Sequence, residues 1–343
     1  MKFGPLPLEE ARGAILAHSQ KLGTGRLRKG VILGPEDLAR LRAAGIEEVI
    51  AARLDPDDVH EDAAAARLAA ALVPDPVSAG LEVTAPFTGR VNLLARGPGV
   101  VCLDAARVAA VNRVHPMLTL ATVPQHQQIG PGGMVATIKV ISFAVPEAAV
   151  AEAEARARAA CSEGGGGGVL RLAGPVHRSA GLVVTQIPGG PSDAKGIAAI
   201  AARLAALGMD LAETRRVPHR TAPLAAALAT LPGDLALILT GSATMDAEDV
   251  APAALRRAGG TVERFGMPVD PGNLLFIGAL GARPVIGLPG CARSPALNGA
   301  DWVLSRVACG LTVGDAEIAA MGVGGLLKEI PTRPQPRAAR RLR

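Results

Sequence analysis

Three carboxylates and two hydroxyls crowd into one short stretch of the second half of the chain. They belong, in chain order, to Ser242, Thr244, Asp246, Glu248 and Asp249. Carboxylates suit Mg²⁺, which proteins usually hold with one or two acids together with the phosphate oxygens of a substrate. Acids at this spacing also suit an ordinary helix start, where they face the positive end of the helix dipole. The residue types therefore leave both a metal or phosphate site and a plain helix N-terminus open.

Two further loops have the composition of an anion site. The first contains Gly189 and Gly190, and the second contains Gly290, Arg293 and Ser294. Glycine lets a ligand approach the backbone closely, and arginine and serine donate hydrogen bonds to anions. The first loop lacks the G-x-G-x-x-G pattern, so a dinucleotide site is not supported. Each loop also fits a plain strand-to-helix turn, and in the second loop Arg293 would then lie in solvent.

All three loops follow apolar runs and precede helical patterns. The apolar runs are AGLVVTQIPG, LALILTG and RPVIGLPG. Near-continuous apolar strands that alternate with helices indicate a mostly parallel sheet that is covered on both faces. The fold class expected over residues 169–312 is therefore α/β, a three-layer α/β/α domain. Ligands of such sheets bind at the loops that follow the carboxyl ends of the strands, so the three loops should share one edge.

Changes of pattern divide the remainder of the chain into four segments. We expect an N-terminal α+β segment over 1–75, a β-rich module over 76–146, a helix and Gly-rich hinge over 147–168, and a C-terminal extension with a basic tail over 313–343. The stretch PLEEARGAILAHS predicts a helix. Pro35 in a first turn and Gly45 as a stop predict a second helix, followed by a strand EEVIAARL.

Charge and cysteine content exclude several functional classes. The net charge is +5, and residues 333–343 alone carry five arginines and no acid. The body of the chain is thus neutral and shows no basic stripe with interleaved aromatics, so we expect no nucleic-acid partner. No apolar run of about 18 residues is present, which predicts no membrane partner and a cytoplasmic location. The four cysteines form no C-x-x-C pair, and Cys291 is expected to be a partly buried thiol rather than a nucleophile.

Residues 181–310 resemble the molybdopterin-binding domain shared by molybdopterin adenylyltransferases and molybdopterin molybdenumtransferases. LILTGSATMDAEDVAPAALRRAGG is similar to the family's strand, T-x-G-G-x-S loop and downstream Asp. MPVDPGNLLFIGALGARPVIGLPG is similar to its closing strands and G-L-P-G loop, and RKGVILGPEDLARLRAAGIEEVIAARL resembles an upstream segment of the molybdenumtransferases. The end of the chain resembles a branch in which this half often precedes a nucleotidyltransferase domain.

The resemblance implies roles for individual residues. The loops that bind the pterin phosphate are implied to contain Gly241, Ser242, Thr244, Gly290 and Ser294. The residue types add Gly189, Gly190 and Arg293 to this substrate-binding set. Asp249 is implied as the acid involved in catalysis or Mg²⁺ binding. We further expect Asp246 or Glu248 to assist it as catalytic acids, with Asp246 also as a metal ligand.

Two stretches depart from the family pattern. Where the molybdenumtransferases have two lysines in K-P-G-K-P, this chain has Asp270 and Asn273. The resemblance implies that such lysines hold molybdate, and an aspartate in that place would repel the oxyanion. The usual T-G-D-E-L after the first strand is replaced by QIPGG.

The expected function lies in molybdenum cofactor biosynthesis. We expect a Mg²⁺-dependent, molybdopterin molybdenumtransferase-like protein that binds molybdopterin or its nucleotide adduct, with molybdate as a further candidate ligand. One alternative is a non-catalytic molybdopterin carrier that serves a separate nucleotidyltransferase or a molybdoenzyme. A weaker one is a competence-damage-type pyrophosphatase, whose nucleotide-loop signatures this sequence lacks. The family implies a homo-oligomer, and the β-rich module, with Asn112, His115 and Lys139, is expected to cover the open side of the site.

Overall fold

The chain forms two compact units. The structure, a computed structural model, describes residues 1–23, 25–159 and 168–327. The N-terminal unit comprises residues 1–97 and 101–172, and the C-terminal unit begins at Ala173 and includes Pro98–Val100. Most of the expected glycine hinge and the whole basic tail lie outside the described residues.

The first part of the N-terminal unit is a small mixed α and β layer. Its elements are β1 (Lys2–Pro7), β2 (Ile15–Leu16), β3 (Gln20–Leu22), β4 (Gly25–Leu27), α1 (Pro35–Ala43) and β5 (Glu48–Arg53). Strand β5 lies between β1 and β2, and both pairs are antiparallel. Helix α1 has Pro35 in its first turn, and Gly45 follows it with a φ of 75°, so the prediction for this helix and the strand after it is confirmed.

The helix predicted for PLEEARGAILAHS is wrong. The stretch leaves β1, passes through short turns, and enters β2, because several of its backbone groups bond to distant segments. The amide of Leu8 donates to the carbonyl of Glu47, and the amide of Leu16 donates to the carbonyl of Val31. Gly13 has a φ of 78°, a value that would interrupt a helix.

The rest of the N-terminal unit has a single core that crosses the expected boundaries. Its elements are β6 (Asp58–His60), α2 (Glu61–Leu72), β7 (Leu81–Val83), β8 (Arg90–Ala95), β9 (Gly99–Leu103), α3 (Ala105–Asn112), β10 (Leu118–Thr122), β11 (Gln128–Ile129), β12 (Met134–Val140), β13 (Ala144–Pro146), α4 (Glu147–Arg158) and β14 (Leu170–Ala173). Strands β10, β12, β8 and β7 form one sheet in that order. Helix α2 packs on this sheet and α4 packs on α2. Leu68 of α2 and Val150 of α4 share one core with the sheet, so α4 belongs with the β-rich module rather than to a separate hinge segment.

The C-terminal unit is built on a six-stranded sheet. Its elements are β15 (Ser179–Gln186), α5 (Asp193–Ala206), β16 (Asp210–Pro218), α6 (Thr221–Ala229), β17 (Leu235–Leu239), α7 (Val250–Arg257), β18 (Thr261–Phe265), β19 (Phe276–Leu280), β20 (Arg283–Leu288), α8 (Gly299–Ala308) and α9 (Asp315–Ala320). The strand order is β16-β15-β17-β20-β19-β18. The first four strands are parallel, and β19 runs antiparallel to both β20 and β18.

Both faces of this sheet are buried. On β15, Leu182 and Val184 belong to the core that contains residues of α5 and α8, while Val183 belongs to the core that contains residues of α6 and α7. Successive side chains of a strand point to opposite faces, so the two cores lie on opposite sides of the sheet. The predicted three-layer α/β/α architecture with a mostly parallel sheet is confirmed. No helix in the described part of the chain is long and apolar enough to cross a bilayer.

One close packing contact in this sheet generates a prediction. Gly287 on β20 pairs with Phe276 on β19, and a Cβ at position 287 would overlap the buried Phe276 ring. Overpacking of this kind costs about 1–3 kcal/mol, so Gly287→Ala should lower the free energy of unfolding of the C-terminal unit by that amount. Urea unfolding followed by the fluorescence of Trp302, the single tryptophan, measures it.

The matched control is Gly174→Ala. A Cβ at position 174 would meet no atom within 4 Å, so its unfolding midpoint should match that of the wild type. Equal midpoints for Gly287→Ala and Gly174→Ala would contradict the packing described here.

Candidate functional site

Four loops of the C-terminal unit open at one edge of its sheet. Strands β15, β17 and β20 are parallel neighbours whose ends are in register, with Val184 beside Leu239 and Leu239 beside Leu288. The three predicted loops therefore lie side by side. Strand β18 runs in the same direction as these strands, so the connection from β18 to β19, which contains Asp270, opens at this edge too.

Arg293 holds the three predicted loops together. Its guanidinium donates from Nη2 to the carbonyl of Thr240 at 2.9 Å and from Nη1 to the carbonyl of Ser192 at 3.4 Å. Burial lowers the pKa of this guanidinium from its ordinary value. A Cβ at Gly196 on α5 would lie 3.1 Å from Nη1, so this glycine makes room for the side chain. Arg293 thus lies between the loops rather than in open solvent.

A second arginine that the sequence analysis missed fixes the loop after β20. Arg203 on α5 is 9% exposed and donates from Nε to Asp301 Oδ1 at 2.6 Å. It also donates to the carbonyls of Ala292 at 2.9 Å, Ser294 at 2.8 Å and Ala296 at 3.1 Å. One guanidinium therefore satisfies three carbonyls of a single loop, and these leave little freedom to the backbone there.

The sequence did carry a signal for this arginine. Arg203 falls on the same face of α5 as Ile200 and Leu204, both of which are buried. A cation on the apolar face of an amphipathic helix has to find buried acceptors. The spacing alone could have marked it as a structural residue.

The acids of the loop after β17 form the start of helix α7. Asp249 is the N-cap, and its Oδ1 accepts from the amide of Val250 at 2.6 Å. Its Oδ2 accepts from the amide of Met245 at 3.0 Å. Asp246 Oδ1 accepts from the amide of Glu248 at 2.8 Å, and Glu248 also pairs with an arginine of α7. Local hydrogen bonds therefore use the acids that the sequence offered as metal ligands.

No ready-made metal site lies among these acids. Over residues 1–23, 25–159 and 168–327, no group of three or more histidine, cysteine, aspartate or glutamate side chains is arranged to hold an ion. Metal binding by Asp249 and Asp246, and catalysis by Glu248, stay predictions.

A cavity of about 300 Å³ lies at the N-terminus of helix α5. It brings together Gly189 and Gly190 from one predicted loop and Gly241 from another, together with Thr185 and Gln186 at the end of β15. Gly241 approaches β15 closely, since a Cβ there would lie 2.6 Å from the carbonyl oxygen of Thr185.

The other predicted substrate-binding residues lie outside the lining of this cavity. Ser242 is exposed and Thr244 is buried, and both follow Gly241 along the loop. Ser294 Oγ accepts from the amide of Ala296 at 3.2 Å. Gly290 faces open space, since a Cβ added there would meet no atom within 4 Å. Their contacts with a ligand stay predictions.

Asp270 and Cys291 lie near the start of helix α8. The backbone of Asp270 forms hydrogen bonds with Gly325 and Leu327, and Asp270 is exposed. Burial raises the pKa of the Cys291 thiol above its usual value, and the charge of Asp270 acts in the same direction. Cys291 is therefore held as a thiol, as its sequence surroundings predicted.

The residues expected to cover the site from the β-rich module have local partners in the N-terminal unit. The side chain of Asn112 bonds to both backbone groups of Leu120. Lys139 Nζ pairs with Glu61 at 3.3 Å, and His115 Nδ1 accepts from a nearby amide. These contacts explain the three residues without a ligand, and their covering role stays a prediction.

Two regions of the chain match known protein families. Residues 178–306 match a family described as a probable molybdopterin binding domain. Over these residues the C-terminal unit is similar to the molybdopterin-binding family. Residues 5–53 match a second family, described as a domain of unknown function. The resemblance inferred from sequence motifs is thereby confirmed.

Among solved structures, the chain is similar to the molybdopterin biosynthesis moea protein from Pyrococcus horikosii, with 15% identity, a TM-score of 0.30, and coverage of 90% of this chain and 75% of that one. It is also similar to a molybdenum cofactor biosynthesis protein from Pyrococcus furiosus, with 13% identity, a TM-score of 0.23, and coverage of 93% of this chain and 65% of that one. No curated protein sequence matches the chain.

The contacts of Arg203 lead to a stability prediction. Replacing it with methionine leaves Asp301 and the loop carbonyls without their donor, and breaking a buried ion pair in this way costs about 3–5 kcal/mol. Arg203→Met should lower the free energy of unfolding by that amount in urea titrations read by Trp302 fluorescence. Arg256→Met is the control, because the Arg256 pair with Glu248 is exposed and worth about 0–1 kcal/mol. Similar losses in the two variants would refute the role assigned to Arg203.

The contacts of Asp249 lead to a prediction about its role as the N-cap of α7. Asp249→Ala removes the acceptor of two amides and should cost about 1 kcal/mol of stability. Asp249→Asn keeps an oxygen at the N-cap and should recover most of that loss in the same unfolding assay. A stability of Asp249→Ala equal to that of the wild type would show that the cap contributes nothing.

Proposed function

We propose that the C-terminal unit binds molybdopterin, or its nucleotide adduct, with the phosphate in the cavity at the N-terminus of α5. The observation that supports this most is the meeting of Gly189, Gly190 and Gly241 around one cavity of about 300 Å³ at a helix start. Glycines let a ligand approach the backbone closely, and a helix N-terminus attracts phosphate through its unpaired amides and its dipole. The amides of Gly190 and Gly241 already donate, to the carbonyl of Ile187 and to Thr185 Oγ1, so we assign the phosphate to the amides at the start of α5.

The start of α5 leaves its first amides to a ligand. Ser192 is the N-cap, and in the described part of the chain its side chain makes no capping hydrogen bond. The first N–H groups of a helix have no partner within the helix, so a phosphate would satisfy them. Asp193 also lines the cavity, but its carboxylate accepts from Gln186 at 2.6 Å and pairs with Arg216 at 3.5 Å, which offsets its charge toward an anion.

Apolar side chains on the same loops suit the pterin ring. Ile187, Met245 and Leu297 are exposed, and each lies on a different one of the three loops. Exposed apolar residues beside a polar cavity are typical of a ligand site. A flat heterocycle with a phosphate arm has the matching division into an apolar and a charged part.

The contacts of the acids at this site favour a molybdopterin carrier over a protein that inserts molybdenum. Both carboxylate oxygens of Asp249 accept backbone amides, and Asp270 stands where the resemblance implied a molybdate-binding lysine. The residues present do not fit a Mg²⁺ site made by the protein alone, so we assign no step to the metal. The protein would then hold the pterin for a separate nucleotidyltransferase or a molybdoenzyme, and molybdenumtransferase activity is the alternative that the same experiment tests.

The decisive experiment is anaerobic titration of the purified full chain with molybdopterin and with adenylylated molybdopterin, each with and without Mg²⁺ and molybdate. Saturable binding without release of AMP supports carriage. Release of AMP with formation of active cofactor supports metal insertion instead. Absence of binding to either pterin overturns the proposal.

Gly241→Ala provides a matched test of the cavity. Its Cβ would press on the carbonyl of Thr185 and displace the loop from β15, so molybdopterin affinity should fall by about tenfold, the equivalent of one hydrogen bond to a charged group. Gly174→Ala, which meets no atom, should bind as the wild type does. Unchanged affinity in Gly241→Ala would place the ligand elsewhere.

A further inference from the structure

We propose that His219 is a positioning residue for this cavity: through the buried hydroxyl of Thr185 it fixes the backbone amide of Gly241. The inference deepens the proposed function and rests on it for the identity of the ligand. His219 follows β16, the edge strand of the sheet, and neither the sequence analysis nor the family resemblance singled it out.

A chain of two hydrogen bonds carries the inference. The amide of Gly241 donates to Thr185 Oγ1 at 2.9 Å, and the same oxygen lies 2.8 Å from His219 Nδ1. Thr185 is fully buried, so water does not compete for its hydroxyl. Thr185 and Gly241 both line the cavity, so His219 lies directly behind residues of the lining.

The backbone of His219 supports the same wall. Its amide donates to the carbonyl of Gln186 at 2.9 Å. Gln186 also lines the cavity. Ring and backbone of one residue thus hold two consecutive residues of β15. Arg216, on the same strand, adds the pair with Asp193 across the mouth of the cavity.

The hydroxyl of Thr185 depends on His219 for a fixed orientation. Its oxygen accepts from the amide of Gly241, and the group is buried, so its remaining hydrogen-bonding capacity needs a partner in the protein. His219 Nδ1 lies at hydrogen-bond distance and supplies that partner, as acceptor or donor according to the tautomer of the ring. With the ring removed, the hydroxyl is free to rotate, and the Gly241 amide loses a fixed partner.

The loop that begins at Gly241 transmits this to the ligand. Ser242 and Thr244, which the resemblance implied as phosphate-binding, follow Gly241 directly, and Asp249 pins the far end of the same loop through Met245. Both ends of the loop are thus tied by hydrogen bonds, one through the cap of α7 and the other through Thr185 and His219. A shift at Gly241 would move a residue that lines the cavity, together with the loop that follows it.

The test compares two substitutions of His219 that are similar in shape and differ in hydrogen-bonding capacity. His219→Asn keeps a polar group near the position of Nδ1 that can bond to Thr185, and His219→Leu removes it. We expect His219→Leu to bind molybdopterin about tenfold more weakly and His219→Asn to stay within about threefold of the wild type. Equal affinity of all three proteins, or equal loss in both variants, overturns the proposal.

A second measurement needs no ligand. Hydrogen–deuterium exchange of peptides that cover Gly241 should be faster in His219→Leu than in His219→Asn, while the Trp302 unfolding midpoints show that both variants are folded. Thr185→Val and Thr185→Ser form a second pair, in which valine should exchange fast and serine should resemble the wild type. If the wild type binds no pterin, the proposed function fails, and exchange still decides whether His219 positions Gly241. Unchanged exchange in both His219→Leu and Thr185→Val refutes the positioning role.

Discussion

Two guanidinium groups give the loops at the carboxyl edge a fixed conformation. A loop that leaves a parallel sheet carries backbone carbonyls that no strand or helix satisfies, and each of them is costly to bury without a partner. Arg203 supplies donors to three such carbonyls in the loop after β20, and Arg293 supplies donors to the carbonyls of Thr240 and Ser192 in the other two loops. Arg293 in this way connects the two loops that line the cavity, at Ser192 and next to Gly241.

This constraint changes what the conspicuous residues of the site mean. By composition, the acids between Asp246 and Asp249 suggested a metal site. In the structure, the carboxylates of Asp246 and Asp249 accept backbone amides and hold the loop in place. Arg293 read as an anion donor, yet its donors are engaged by carbonyls. The amides at the start of α5 have no partner within the helix, whereas those of Gly190 and Gly241 already donate to Ile187 and Thr185. A pterin phosphate would thus meet a surface of backbone that side chains have shaped.

The sequence predicted the parts of the fold in which local and long-range forces agree. The run Leu235–Leu239 is buried on both faces, and the helix that starts at Pro35 has a proper beginning and end, so both could be placed from residue types. The segment around Gly13 could not, because its amides bond to carbonyls far along the chain, and only tertiary structure sets those pairs. Of the site, the loops and their glycines were predictable. Arg203 was passed over because a charged residue on a helix reads by default as solvated.

Strand β16 shows why the support of a site is harder to predict than the site itself. Its sequence, DLAETRRVP, mixes charged and apolar residues, and none of them is fully buried, as is typical of an edge strand. No catalytic motif occurs in it. Its place beside β15 is fixed only by the parallel pairing, which brings Pro218 next to Gln186 and so carries His219 to the end of β15. A ring there can reach the hydroxyl of Thr185 because register, not sequence distance, decides which residues meet. His219 thus supports residues that line the cavity although it lies outside the lining itself.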